Sequence, residues 1–301
     1  MTTRMNGPGA GWSWLLRGIN LGRSDPKAVF GAVALVMLVA LLPSGIQLLL
    51  QYVVKLRPQA MLAVMGAMMI VIMVLSPLLF GGVLRVIDAA EHRRPTAAMA
   101  VFSAFRNGPD AWRLIGFGLL VSLIYISAFV VVLAILGDGF LGWYWHVLTA
   151  AQSAPLSPGS IPAMPAPEHL ALSLVIAVLA GMFLSGVYAI GFGQIALGEC
   201  GIGGALADGV SGTVKNLLPI LVLVVSSLLG IVLLALLVVL IGLLIGIAAH
   251  LLHPALALVL LLPVYFGMML VIYVVMFGTM YAMWRDVCVQ QPGIQGAHMA
   301  L

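Results

Sequence analysis

The residues whose types could do chemistry are few. His250 and His253 stand three apart, a spacing that can place two imidazoles on one ion, and His146, His169 and Glu168 fall on the same side of the topology derived below. Methionines recur at 61, 65, 68, 69 and 73 and again at 276, 280 and 283, and thioethers favour Cu(I). Methionine at helical spacing is also an ordinary filler of apolar gaps, and His253 precedes Pro254 in a connecting segment, so no metal site is assigned. Asp88, Glu91, Glu199 and Asp208 lie near Arg85, Arg93 and Arg94 in the same reading. They read as solvated ion pairs rather than as a general acid and base. The chain has no H-E-x-x-H, Walker A or G-x-S-x-G pattern. No catalytic residue and no cofactor is assigned, and the chain is expected not to be an enzyme.

Polar groups and helix breakers inside apolar runs form a second class. Gln47, Tyr125, Tyr188 and Gln194, with Pro43 in Leu42-Pro43-Ser44-Gly45 and Pro77 ahead of Gly81-Gly82, are the candidate lining of a solute path. Unwound backbone at membrane depth is tolerated where it lines a cavity. The competing roles are hydrogen bonds between helices and packing kinks. Gly242 and Gly246 form a small-xxx-small pair that lets another helix approach.

These residues must be positioned by membrane-spanning helices. Of 301 residues 63% are hydrophobic and 7% charged, against roughly 25% charge in ordinary globular domains. Uncharged stretches near 28–54, 59–84, 114–137, 169–197, 217–249 and 255–284 are each long enough to cross about 30 Å of hydrocarbon. The first is too long for a cleaved signal peptide. Arg4, Arg17, Arg23, Lys27, Arg85, Arg93, Arg94, Arg106, Arg113, Lys215 and Arg285 fall on one side of these spans, and Lys55 and Arg57 alone on the other. By the positive-inside rule both termini are cytoplasmic. Cys200 and Cys288 then lie in a reducing compartment, with no disulfide expected. All six tryptophans fall at span ends, as interfacial anchors do. The net charge of +4 follows the membrane edges and does not indicate a nucleic-acid partner.

Between the spans, 11–26 reads as an interfacial helix followed by a cap at Ser24 or Asp25 and by Pro26 in the first helical turn. Residues 96–107, with Met99, Phe102 and Phe105 on one face, and 203–215 read as two more short helices. Arg106-Asn107 and Lys215-Asn216 close them, which suggests a duplicated unit of span, short helix, span. The proline-rich stretch 154–169 on the other side reads as extended chain.

GWSW at 11–14, Arg-Ser-Asp-Pro at 23–26, LLPSG at 41–45, SPLLFGG at 76–82 and ALADGVSGTVKNLLPILV at 205–222 resemble the YciC-like six-helix bacterial inner-membrane proteins. The resemblance implies location and architecture and brings no catalytic set. The expectation is therefore an all-α fold, a polytopic transmembrane bundle of six helices with short cytoplasmic interfacial helices. A segment 1–27 precedes the membrane domain 28–286, and 287–301 forms a cytoplasmic tail. The expected partners are membrane lipids, with other membrane proteins or a second copy, and the expected role is accessory or envelope-maintenance; the rival reading is a permease or a lipid or small-solute exporter.

Overall fold

The computed structural model describes residues 3–23, 25–54, 58–136, 139–153, 170–198, 200–251, 253 and 255–289. Among them the regular structure is helical: α1 Gly9–Asn20, α2 Pro26–Leu49 with a π turn at Leu50–Val54, α3 Pro58–Glu91, a 3-10 segment Ala98–Phe105, α4 Gly108–Leu136, α5 Phe140–Ser153, α6 Leu170–Leu197, α7 Ile202–Lys215, α8 Leu217–Leu251 and α9 Ala255–Cys288. Six of these, α2, α3, α4, α6, α8 and α9, are long and apolar enough to cross a membrane. The Asp25 carboxylate accepts from the Ala28 amide at 3.1 Å and Pro26 occupies the first turn of α2, so the predicted start is the observed one. Ser24, Lys55, Arg57, the stretch 154–169, Glu199 and the tail from 290 lie outside the described residues.

Several helices run past the uncharged stretches that predicted them. Helix α3 continues through Arg85, Asp88 and Glu91, and α9 through Arg285 and Asp286, because these charges find partners on neighbouring elements instead of ending the helix. Neither Pro43 nor Pro77 breaks its helix. Neighbouring helices can support the backbone around a membrane proline, and the Pro77 ring packs against Gly118 of α4. Helix α5, just after α4, carries Trp143, Tyr144 and Trp145, a helix that the sequence reading does not predict.

The arrangement is threefold, not twofold. Each unit is a short segment, an outgoing span and a returning span: α1-α2-α3, then 98–105-α4-α6, then α7-α8-α9. The returning helices α3, α6 and α9 pack on one another at the centre, and α2, α4 and α8 fill the grooves between them. Each short segment docks beneath the hairpin of a different unit. Segment 98–105 lies under α2 and α3, α7 chiefly under α6, and α1 under α8 and α9, so the units close a ring. At the three returning helices the contact is the same. A side chain at Gly82 would strike the Val101 carbonyl, one at Gly191 would come to 2.9 Å from the Ala205 carbonyl, and one at Gly278 to 3.1 Å from the Gly18 carbonyl. Glycine is present at all three because backbone meets backbone there.

This docking explains which faces are inside. Segment 98–105 turns as a 3-10 helix, with three residues per turn, so Val101 and Ala104 are buried while Met99 and Phe105 are exposed. Met99 and Phe105 face outward and Phe102 is half-buried at the edge of the core, because only small residues fit against Gly31 and Gly82. In α1, Trp14 and Leu15 are buried and Trp12, Leu16 and Ile19 exposed. Trp14 and Trp284 are therefore core residues rather than interfacial anchors.

Burial is concentrated at one end of the spans, Ala249 near the far end of α8 being the exception. The fully buried positions of α2 run from Ala28 to Val36, those of α3 begin at Pro77, those of α6 at Gly186 and those of α9 at Val274, all on the face that carries α1, 98–105 and α7. We call this the terminal face, since Arg4 N–H donates to the Val287 carbonyl there at 2.9 Å. Glycines in the other half, Gly45, Gly66, Gly181, Gly230, Gly246 and Gly267, have no neighbour within 4 Å of a built side chain, and Gly242 meets only Leu261 at 3.9 Å. Lipid tails are as apolar as leucine, so helices associate tightly only where small or polar groups allow it. Here such groups cluster at the terminal face.

Candidate functional sites at the two ends of the bundle

The candidate path residues fall in four places. Pro43 and Gln47 line a cleft of about 220 Å³ between α2 and α3, with Met61, Val64, Met65, Met68, Met69 and Ile72. Pro77 is buried against α4. Tyr125 and Tyr188 are half-buried, and Tyr188 stacks on Phe192 at 5.2 Å. Gln194 is 1% exposed at the terminal end, where its amide donates to Asp208 Oδ2 at 2.6 Å and accepts from Trp284 Nε1 at 3.2 Å. The amide thus ties α6 to α7 and to α9. Of the six candidates, Pro43 and Gln47 share the α2/α3 cleft.

At the terminal face the three returning helices exchange polar contacts in a cycle. Arg85, Gln194 and Tyr281 each lie three residues after a docking glycine. Arg85 Nε donates to the Ala196 carbonyl of α6 at 3.1 Å, Gln194 meets Trp284 of α9, and Tyr281 Oη donates to Asp88 Oδ1 of α3 at 2.9 Å. The sequence signal for this cycle is a Gly-x-x-polar step near the end of the second, fourth and sixth spans. The guanidinium of Arg85 also caps α6, whose last carbonyls lack intrahelical partners, and Arg113 donates to the Cys200 carbonyl in the connection to α7.

The surrounding charges are paired. Asp88 receives Arg94 and, at 3.2 Å, His92; Asp110 receives Arg85 at 3.1 Å; Glu91 lies 3.5 Å from Arg285; and Asp286 receives Arg17 and the Trp14 indole. Of the acids singled out in the sequence, Asp88 and Glu91 join such pairs and Asp208 joins Gln194. Asp110 and Asp286 were missed, because their partners on other elements, Arg85 and Arg17, are brought to them only by the fold.

A strap formed by residues 3–7 crosses this face. Asn216, fully buried, accepts from the Asn6 amide at 2.8 Å and donates to the Arg4 carbonyl at 2.8 Å. Lys215 Nζ donates to the Thr3 carbonyl at 3.0 Å. The Lys-Asn pair noticed in the sequence is therefore a clamp for the N-terminal segment.

Two hollows open at the terminal face. The larger, about 440 Å³, lies between α3, α4 and the end of α6 and is lined by Arg85, Asp88, Arg94, Asp110 and the backbone at Ile195–Leu197. The smaller, about 170 Å³, holds Arg17, Glu91, Tyr281 and Arg285. At the other end, no group of three metal-ligating side chains gathers among the described residues, and Glu168 and His169 lie outside them. Cys200 and Cys288 are free thiols. No family model, no curated protein and no solved structure matches this chain.

Proposed function

We propose that this multi-pass membrane protein belongs to a bacterial inner membrane, as a YciC-like protein with its terminal face in the cytoplasm, and that it acts without catalysis by engaging lipid as an accessory or envelope-maintenance component. The α2/α3 cleft carries this reading. Its walls are methionine and aliphatic, and its volume of about 220 Å³ is below the roughly 300–1,000 Å³ of small-molecule sites, which suits a stretch of one acyl chain. Gln47, the polar residue of the lining, lies about 32 Å along the helix from Pro26. That is the far edge of a hydrocarbon core about 30 Å thick, where its amide can meet an ester carbonyl. The orientation is supported by the basic residues of the terminal face, and the non-catalytic reading by acids that are engaged in pairs joining one helix to another.

The test is mass spectrometry of whatever leaves native membranes with the purified chain, with and without Met65→Trp. A phospholipid adduct weakened by that substitution supports the reading. Co-purification of a water-soluble solute in place of lipid would favour the permease instead.

A further inference from the structure

The threefold cycle is unevenly filled. At the α6/α9 junction the Trp284 indole closes on Gln194, and at the α9/α3 junction Tyr281 closes on Asp88 with Arg285 over its ring, 5.6 Å from the centroid. At the α3/α6 junction Arg85 reaches only a backbone carbonyl of α6, and the 440 Å³ cleft opens beside it. We propose that this cleft binds a head group carrying both a phosphate and a primary ammonium, the phosphate on Arg94 and Arg85 and the ammonium on Asp88 and Asp110.

Place, charge and the rim of the cleft lead to this occupant. Arg85 and Asp88 lie in the last two turns of α3, Ile195–Leu197 form the end of α6, and Asp110 stands in the first turn of α4. The cleft thus sits where three spans leave the hydrocarbon, at the depth of phospholipid head groups, a level at which pockets between spanning helices take head groups of complementary charge. Its lining holds two guanidinium groups and two carboxylates, so an anion alone would face Asp88 and Asp110, and a cation alone would face Arg85 and Arg94. A group with both charges meets complementary partners on each wall. Arg94 is 58% exposed at the mouth, free to exchange Asp88 for a phosphate. The turn that delivers it is strained: Arg94 N–H bonds the Ala89 carbonyl at 2.8 Å and Arg93 N–H the Ala90 carbonyl at 3.1 Å, which places Arg93 at φ 52°, where glycine is usual.

The inference rests on the membrane reading above but not on the α2/α3 cleft. The full chain in detergent is examined by native mass spectrometry with dioleoyl-phosphatidylethanolamine, -phosphatidylglycerol and -phosphatidylcholine, and by titration with free phosphoethanolamine. Phosphatidylethanolamine is expected to be retained about tenfold better than either of the others, since one lacks the ammonium and the other cannot donate hydrogen bonds from it. Arg94→Gln should remove about tenfold of that retention and leave any Met65-dependent adduct in place. The lipid series on the unaltered chain needs no variant. Equal or better retention of phosphatidylglycerol would overturn the proposal, as would a preference untouched by Arg94→Gln. Binding of free phosphoethanolamine that is lost in Arg94→Gln, alongside the phosphatidylethanolamine preference, shows that the head group alone carries the affinity and supports the proposal. A Met65-dependent adduct without head-group preference overturns this proposal alone; no retained lipid at all overturns the proposed function as well.

Discussion

Adding one methyl group at a docking glycine separates the closed half of the bundle from its open half. In Gly82→Ala the new Cβ runs into the Val101 carbonyl, and the obstacle is backbone, which no rotamer change can move. Overpacking of this kind costs about 1–3 kcal/mol, against a helix-propensity gain of about 1 kcal/mol for replacing glycine with alanine. Because the obstacle is backbone, the upper part of that range, about 2–3 kcal/mol, applies, and the net loss expected is about 1–2 kcal/mol. Gly191→Ala and Gly278→Ala meet Phe117 Cζ at 2.6 Å and Gly18 Cα at 2.8 Å respectively, and should follow in the same direction with smaller losses. Gly45→Ala and Gly66→Ala meet nothing within 4 Å and keep the propensity gain. Thermal unfolding in detergent reads the difference: at roughly 2–4 °C per kcal/mol for a chain of this size, Gly82→Ala and Gly66→Ala should melt at least about 4 °C apart. Equal melting temperatures, or a greater loss at Gly66 than at Gly82, would refute the threefold docking.

Asn216→Ala should release the N-terminal strap, since it removes the partners of Asn6 and of the Arg4 carbonyl at a fully buried site; hydrogen exchange of residues 3–7 should rise while the spans stay protected. Arg93→Gly should stabilise by about 0.5–1 kcal/mol, because glycine occupies the left-handed region without the side-chain penalty, and a lower melting temperature would contradict that account of the turn. With Cys200 and Cys288 replaced by serine, a cysteine at Ser157 should react with an impermeant thiol reagent from outside the cell and one at Arg94 should not; the reverse pattern would invert the orientation.

The six spans and the Asp25-Pro26 start were legible because charge exclusion and capping are local. The way the helices pack was not. In lipid both faces of a helix are apolar, so hydrophobic periodicity no longer tells inside from outside: the face of Met99, Phe102 and Phe105 stands out in the sequence, yet Val101 and Ala104 are the residues that dock. Trp14 and Trp284 read as anchors because span ends favour tryptophan, yet both meet partners 272 and 90 residues away. The repeat was assigned the wrong unit because Arg106-Asn107 and Lys215-Asn216 resemble each other, whereas the conserved spacing within the chain is Gly82 to Arg85, Gly191 to Gln194 and Gly278 to Tyr281. Among the candidate path residues, Gln47 faces an apolar cleft and Gln194 a buried clamp, a distinction that depends wholly on which helix lies opposite.

Lipid engagement by the loosely packed half of the bundle is tested most directly by native mass spectrometry of the chain released from its own membranes. The account predicts a bound phospholipid that survives gentle activation and is lost or weakened about tenfold or more when Met65→Trp fills the α2/α3 cleft, worth about 1.4 kcal/mol or more. A chain that emerges free of lipid, or one whose lipid is indifferent to Met65→Trp, would contradict it.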